Sequence, residues 1–178
     1  MRSRLAVLAV AVFTAASAAQ AQSAYIWAGG GMSMPDGDTP SGRESGMIGT
    51  LGLGIPIKSV KGLSVQGELQ MGSWDQKVGT GSVSQNSFFA NLGYDINPND
   101  MKLYPWIVTG IGSMSSKVKG EKSDSEMAFQ LAAGLTYMAS PKWAIWAGPG
   151  YIMSGSGTKK RSHMPLMAGV SLSLGGSQ

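Results

Sequence analysis

The chain has 178 residues, a length typical of a single domain. Only 13% of the residues are charged, about half the ~25% of an average soluble domain, and 26 residues are glycine. The chain has no cysteine, which excludes disulfides and a thiolate metal site. Its formal net charge is +4. Without the two arginines of the first 21 residues, the chain has 12 basic and 10 acidic residues, a net charge of +2. This charge is too small to predict nucleic-acid binding.

The first 21 residues have the pattern of a secretory signal peptide. Arg2 and Arg4 form a basic start, residues 5–16 form an apolar core, and residues 19–21 (AQA) match a small-x-small cleavage site. The apolar core is shorter than the ~20 residues that a membrane-spanning helix needs. We therefore expect residues 1–21 to be removed and residues 22–178 to form one domain.

Apolar and polar residues alternate with a period of two along most of the remaining chain, which is typical of strands. No segment after the signal peptide has the sustained 3.6-residue period of a helix. The alternation predicts eight strands, most of them about 10 to 15 residues long, enough to cross a bilayer at a tilt. In chain order they are 24–34, 46–57, 63–77, 87–96, 103–114, 125–138, 143–154 and 164–174.

The segments between these strands alternate in length. Odd-numbered connections such as 35–45 (PDGDTPSGRES) and 115–124 (SSKVKGEKSD) are longer than even-numbered ones such as 58–62 (KSVKG). An even number of strands with short turns on one side and longer loops on the other is typical of a transmembrane barrel. We therefore predict an all-β fold, an eight-stranded antiparallel up-and-down transmembrane β-barrel.

The segment 63–73 (LSVQGELQMGS) predicts which face of the strands points inward. Glu68 lies near the middle of this segment, and a Lys or Arg facing lipid at that depth costs roughly 2 to 4 kcal/mol, a Glu somewhat less. We therefore expect the polar face to line the lumen and the apolar face to meet lipid. A proton or cation site at Glu68 is one interpretation, but a hydrogen-bonded filling that closes the barrel to ions is favoured. The predicted lumen network consists of Gln66, Glu68, Gln70, Asn91, Asp95 and Gln130.

Aromatic residues near the strand ends predict girdles at the two membrane interfaces. Trp74 lies near the end of its strand that leads to a longer loop. The aromatic residues near the short connections are Tyr94, Tyr104, Tyr137 and Trp143.

Two of the longer loops are basic. On outward-facing loops these cations would meet lipopolysaccharide phosphates or acidic host polymers. The alternative is a solvated charge cluster, because the first loop also carries Glu121 and Asp124. The loop cations are Lys117, Lys119 and Lys122 in the first loop and Lys159, Lys160 and Arg161 in the second.

The signal peptide, the eight alternating runs, the segment 129–137 (FQLAAGLTY) and the glycine-rich first strand resemble the small outer-membrane β-barrel proteins of Gram-negative bacteria, of the OmpX and OmpA membrane-domain type. The resemblance covers essentially the whole mature chain. It implies contact with outer-membrane lipid and lipopolysaccharide, insertion by the outer-membrane assembly machinery, and a monomeric state. In that family the last strand carries an assembly signal with two aromatic residues, and Leu172 and Leu174 occupy their positions here.

The sequence contains no recognisable catalytic or cofactor motif. His163 is the single histidine, its context 162–165 (SHMP) lacks the His-x-Ser pattern of lipid-modifying deacylases, and no G-x-S-x-G motif occurs. The twelve methionines are dispersed, so we predict no metal and no cofactor. We expect a non-enzymatic membrane protein with a structural or surface-interaction role through its longer loops, where a host ligand could bind. The alternatives are a lipid A-modifying enzyme, a narrow pore, and a soluble lipocalin-like periplasmic carrier.

Overall fold

The structure is a computed structural model that describes residues 24–35, 45–75, 82–96, 102–118, 123–155 and 161–174. Eight antiparallel strands form a closed barrel in which each strand pairs with its neighbours in sequence and the first pairs with the last. The predicted fold class is confirmed. The strands are β1 (Tyr25–Pro35), β2 (Gly46–Pro56), β3 (Leu63–Asp75), β4 (Ser82–Asp95), β5 (Leu103–Val118), β6 (Asp124–Met138), β7 (Trp143–Ser154) and β8 (Arg161–Ser173).

The predicted signal peptide, residues 1–21, lies outside the described residues. Within the described part of the chain, no helix is long and apolar enough to cross a membrane.

The register of the eight strand pairs gives the tilt of the strands. Pairing partners followed from Tyr25 around the whole barrel lead back to Pro35, ten residues further along β1. For eight strands this stagger corresponds to a tilt of about 40°, within the 35 to 45° of membrane barrels. Closure also leaves no open sheet edge, so the backbone groups of the strands are satisfied within the barrel.

The outside of the barrel is predominantly apolar and the inside is largely polar or small. On β3 the side chains of Leu69 and Met71 point outward and are 51% and 64% exposed. Glu68 and Gln70 on the same strand point inward and are buried. A soluble barrel has the opposite arrangement, so the predicted inward orientation of the polar face is confirmed.

The two ends of the barrel differ, and we name them by their connections. The turn end carries the β2–β3, β4–β5 and β6–β7 connections together with residues 24 and 174, and the loop end carries the other four connections. We count the residues between the last outward apolar side chain of one strand and the first of the next. There are 10 to 16 at the loop end and 5 to 8 at the turn end. The predicted asymmetry therefore holds when it is measured from the apolar exterior.

The predicted loops at the loop end were too long. Strand β4 begins five residues earlier than predicted, β5 ends four residues later, and β8 begins three residues earlier. The outward side chains of the added parts of β4 and β5 include Ser84, Asn86 and Lys117, which are exposed. Strand pairing thus continues beyond the apolar exterior into a polar rim. The composition of this rim resembles that of a loop, although its residues are paired in strands.

Inward-pointing indoles pack over glycines of the neighbouring strands. Trp27 lies directly opposite Gly52 of β2, and Trp106 lies directly opposite Gly134 of β6. A Cβ atom at either glycine would overlap the indole ring. Glycine is therefore required where the lumen has to admit an indole, which accounts for part of the high glycine content.

Two of the five predicted interfacial aromatic residues point into the barrel instead. Tyr94, Tyr137 and Trp143 lie on the outside near the turn end and are exposed. Trp74 and Tyr104 are only 2% and 8% exposed, so their assignment to the interface was wrong. The physical reason is strand alternation, because each of these two residues has the inward parity of its strand and packs in the lumen.

Candidate functional site

A buried carboxylate with four hydrogen-bond donors lies near the middle of the lumen. The side chain of Glu68 is 7% exposed. Its Oε1 atom accepts hydrogen bonds from Thr50 Oγ1 at 2.7 Å and from Gln70 Nε2 at 2.9 Å. Its Oε2 atom accepts hydrogen bonds from Asn91 Nδ2 at 2.8 Å and from Gln130 Nε2 at 2.7 Å. Strands β2, β3, β4 and β6 therefore meet at one carboxylate.

The amides around Glu68 are also bonded to one another. Gln70 Nε2 donates to Gln130 Oε1 at 3.0 Å, and Gln130 Nε2 donates to Asn91 Oδ1 at 2.7 Å. A carboxylate has about four lone-pair sites, and four neutral donors occupy them here, which offsets much of the cost of burying the charge. In the described part of the lumen, Glu68 forms no ion pair. The arrangement holds the barrel wall together at this level.

Two predicted members of the lumen network lie nearer the turn end. Gln66 Nε2 donates to Tyr25 Oη at 2.9 Å and to Ser64 Oγ at 3.0 Å. Tyr25 Oη in turn donates to Ser64 Oγ at 2.9 Å. Asp95 is the last residue of β4 and is half-buried at the turn end. The six predicted residues thus occupy three levels of the lumen.

Thr50 belongs to the hydrogen-bond network of Glu68, although the sequence did not predict it. It donates to Glu68 from β2, whose many glycines give no polarity signal for its two faces. The register of β2 against β3 places Thr50 opposite Gln70, and both side chains point inward. Thr50 lies two residues after Ile48, which points inward. Strand alternation therefore predicts that Thr50 also points inward.

An apolar cluster fills the lumen on the loop-end side of Glu68. Farther toward the loop end, the rings of Trp74 and His163 meet edge-on with centroids 5.4 Å apart, and both side chains are buried. An eight-stranded barrel is only wide enough to be filled by side chains, and this half is filled. The cluster consists of Phe89, Met114, Ala128 and Ile152.

Two of the six predicted loop cations belong to the described residues. Lys117 is exposed near the end of β5. Arg161 is the first residue of β8, and its Nη2 atom lies 3.9 Å from Asp124 Oδ2 at the start of β6. Both partners are partly exposed, so this ion pair is worth about 0 to 1 kcal/mol. The other four cations, Lys119, Lys122, Lys159 and Lys160, lie outside the described residues.

The single histidine points into the barrel. His163 is buried and packs against Trp74, so it does not face lipid. Among the residues that the structure describes, no group of three or more His, Asp and Glu side chains could hold a metal ion.

A closed eight-stranded barrel with an apolar exterior and a hydrogen-bonded polar interior defines a small transmembrane β-barrel. The chain belongs to the outer membrane protein beta-barrel domain family, which it matches over residues 5–172. The expected resemblance to small outer-membrane barrels is confirmed. The family is one of outer-membrane proteins.

Solved outer-membrane proteins share the fold at low sequence identity. Neisserial surface protein A is 16% identical with a TM-score of 0.67, and the alignment covers 84% of this chain and 96% of that chain. Ail of Yersinia pestis, in complex with the heparin analogue sucrose octasulfate, is 20% identical with a TM-score of 0.56, and the coverage is 85% and 99%. The outer membrane enzyme PagL is 16% identical with a TM-score of 0.52, and the coverage is 84% and 98%. No curated protein matches the sequence.

Proposed function

We propose that this protein is a non-enzymatic outer-membrane barrel whose loop end binds polyanions at the cell surface. The observation that carries the proposal is the contact between Asp124 and Arg161, which joins the starts of β6 and β8 at the loop end. Asp124 comes two residues after Lys122, and Arg161 directly follows Lys160. The two basic segments therefore lead into residues that touch, and we expect them to act as one basic patch.

The orientation of the barrel supports a site on the cell surface. In bacterial outer-membrane barrels the short connections face the periplasm and the longer ones face outward. The segments that extend beyond the apolar exterior are longer at the loop end, and Lys117 lies on the polar rim of that end. An exposed cation such as Lys117 attracts phosphates of lipopolysaccharide or acidic host polymers. A protein of the same fold, Ail, has been solved with a sulfated polyanion, which gives a precedent for this ligand class.

The lumen supports a structural role for the strands. The Glu68 network and the apolar cluster beyond it fill the loop-end half of the barrel, which argues against a narrow pore. A membrane-embedded enzyme acting on lipid A would need a histidine near the lipid, whereas His163 points inward. A soluble carrier would need a polar exterior in place of Leu69 and its outward neighbours.

Binding of sucrose octasulfate to the protein in vesicles tests the proposal. Changing Lys117, Lys119 and Lys122 to Gln together should weaken binding about tenfold at low salt, if each exposed charge contributes about 0.5 kcal/mol. Added salt should weaken wild-type binding, because exposed charges are screened.

The control for this experiment is a second triple variant at the opposite end of the barrel. Lys58, Lys61 and Lys102 lie in turn-end connections and are exposed, so changing them to Gln removes the same charge away from the loop end. A heat-dependent gel shift confirms that each variant is folded. Equal loss of binding in both triple variants would show that net charge, and not the loop end, determines binding. Steady single-channel conductance in planar bilayers would support the pore instead, and altered lipid A that reverts in His163→Ala would support the enzyme.

A further inference from the structure

The turn-end half of the lumen contains a cavity of about 530 Å³. Its mouth is lined by Lys58, Lys61 and Lys142 of the turn-end connections, and it extends inward to Glu68 and Gln130. Ligand sites typically have volumes of roughly 300 to 1,000 Å³. The cavity is therefore large enough for a small molecule, and it lies at the turn end, opposite the end that is proposed to bind polyanions.

The cavity opens toward one end of the barrel. Glu68, Gln70 and Gln130 form its inner end, and their side chains are tied to one another by hydrogen bonds. The cluster that includes Phe89 and Met114 fills the lumen beyond them. A solute therefore enters from the turn end, which faces the periplasm in barrels of this type.

Small side chains keep this cavity open, and aromatic side chains form much of its wall. Ala132 of β6 pairs directly with Gly150 of β7, and both line the cavity. The indoles of Trp27, Trp106 and Trp146 also line it, and those of Trp106 and Trp146 meet edge-on with centroids 6.4 Å apart. A wall of aromatic rings favours an apolar body that fills the cavity and displaces water.

Charge is distributed unequally along the cavity. Three lysines, Lys58, Lys61 and Lys142, line the mouth, where Asp95 is the acidic residue among the described lining residues. The inner end carries the carboxylate of Glu68, which already accepts four hydrogen bonds from neighbouring side chains. A second anion at the inner end would be repelled, whereas an anion at the mouth would be attracted.

We propose that this cavity binds a small amphipathic anion from the periplasm, with its single carboxylate or phosphate group at the lysines and its apolar body between the indoles. From Ser64 to Glu68, both of which line the cavity, four residues of β3 at about 3.3 Å each and a tilt of about 40° give a depth of about 10 Å. An extended eight-carbon carboxylate matches that depth. The site is independent of polyanion binding, because the filled half of the lumen separates the two ends.

Quenching of tryptophan fluorescence by 8-bromooctanoate tests the proposal, since bromine quenches an indole only at short range. Trp143 faces outward and would report the probe dissolved in lipid, so the experiment uses the Trp143→Phe protein in neutral phosphatidylcholine vesicles. The four remaining tryptophans point inward, and three of them line the cavity. Quenching should saturate with probe concentration.

Two matched pairs of variants locate the site. Ala132→Phe fills the cavity and should weaken binding at least about tenfold, whereas Ala133→Phe adds the same ring on the outside of β6 and should leave binding unchanged. Lys142→Gln at the mouth should weaken binding about threefold at low salt, whereas Lys102→Gln, exposed at the turn end but outside the cavity lining, should not.

Each variant is checked for folding by its heat-dependent gel shift. Lys142 is exposed in a turn, so Lys142→Gln should fold even if Ala132→Phe does not. Its comparison with Lys102→Gln then tests whether the probe binds at the mouth of the cavity. Quenching that never saturates, or that is equal in Ala132→Phe and Ala133→Phe, would overturn the proposal. Loss of probe binding with sucrose octasulfate binding retained would support the cavity site alone.

Discussion

The position of Leu69 allows the membrane-facing exterior to be tested with one substitution. Leu69 points outward and lies six residues beyond Leu63, which marks the turn-end edge of the apolar exterior on β3. At about 3.3 Å per residue and a tilt of about 40°, Leu69 lies about 15 Å above Leu63 along the barrel axis. The apolar band of such barrels is about 25 Å tall, so Leu69 lies close to its middle.

The expected effects follow from this depth. Leu69→Lys should lower the free energy of unfolding from vesicles by roughly 2 to 4 kcal/mol, because a charge at the bilayer midplane is poorly solvated. Leu63→Lys should lower it by about 0 to 1 kcal/mol, since water reaches the edge of the band. Gln70→Leu removes donors to Glu68 and Gln130 inside the barrel and should cost about 1 to 3 kcal/mol, less than Leu69→Lys.

Urea titration of the folded protein in vesicles, followed by tryptophan fluorescence, measures these free energies. Both variants replace a leucine with a lysine, and Leu63 is the more buried of the two. A smaller loss at Leu63 than at Leu69 therefore reports the difference in depth and not a difference in packing. Equal losses in Leu69→Lys and Leu63→Lys would refute the inference that the outward face of β3 lies in hydrocarbon. Unfolding by urea of a protein that never associates with vesicles would refute the membrane barrel as a whole.

Two further predictions concern packing in the lumen, and both are measured by the same urea titration. Gly52→Ala should lower the free energy of unfolding by about 1 to 3 kcal/mol, because its Cβ would overlap the Trp27 indole. The Cβ of Gly49→Ala would meet no atom nearer than 3.8 Å, so this control should change stability by less than about 1 kcal/mol. Equal effects of the two alanines would contradict the packing of indole over glycine. Phe89→Ala should cost about 3 to 5 kcal/mol by leaving a cavity in the buried cluster, and a loss below about 1 kcal/mol would show that the ring is not packed there.

Much of the fold could be predicted because alternation is a direct property of strands. On β3 and β6 nearly every residue alternates in polarity, so the orientation of Glu68 and Gln130 followed from parity alone. The strand ends could not be predicted in the same way. Ser84 and Lys117 belong to paired strands above the apolar exterior. Inward residues such as Gln85 and Ser116 are polar there as well, so the alternation of polarity is weak.

The candidate site was predicted only in part, because it depends on contacts between strands. Parity gives the inward direction of Asn91 but not its bond to Glu68, since the register places Glu68 opposite Phe89. Trp74 and Tyr104 have the inward parity of their strands but also lie near strand ends, so parity and the girdle pattern predict opposite orientations for them. The cavity follows from small residues meeting across a specific strand pair, and no single strand carries that information.

The Glu68 network explains how one small barrel has two ends with different chemistry. A buried carboxylate surrounded by neutral donors is not the most stable filling of a lumen, because well-packed apolar residues often serve as well or better. Here the network marks the boundary between the filled loop-end half and the open turn-end half. Four hydrogen bonds to Glu68 connect β2, β3, β4 and β6 at that level, so a ligand entering from the turn end meets the Glu68 carboxylate at the inner end of the cavity. The same boundary keeps the loop end, where Arg161 and Asp124 meet, independent of what the cavity binds.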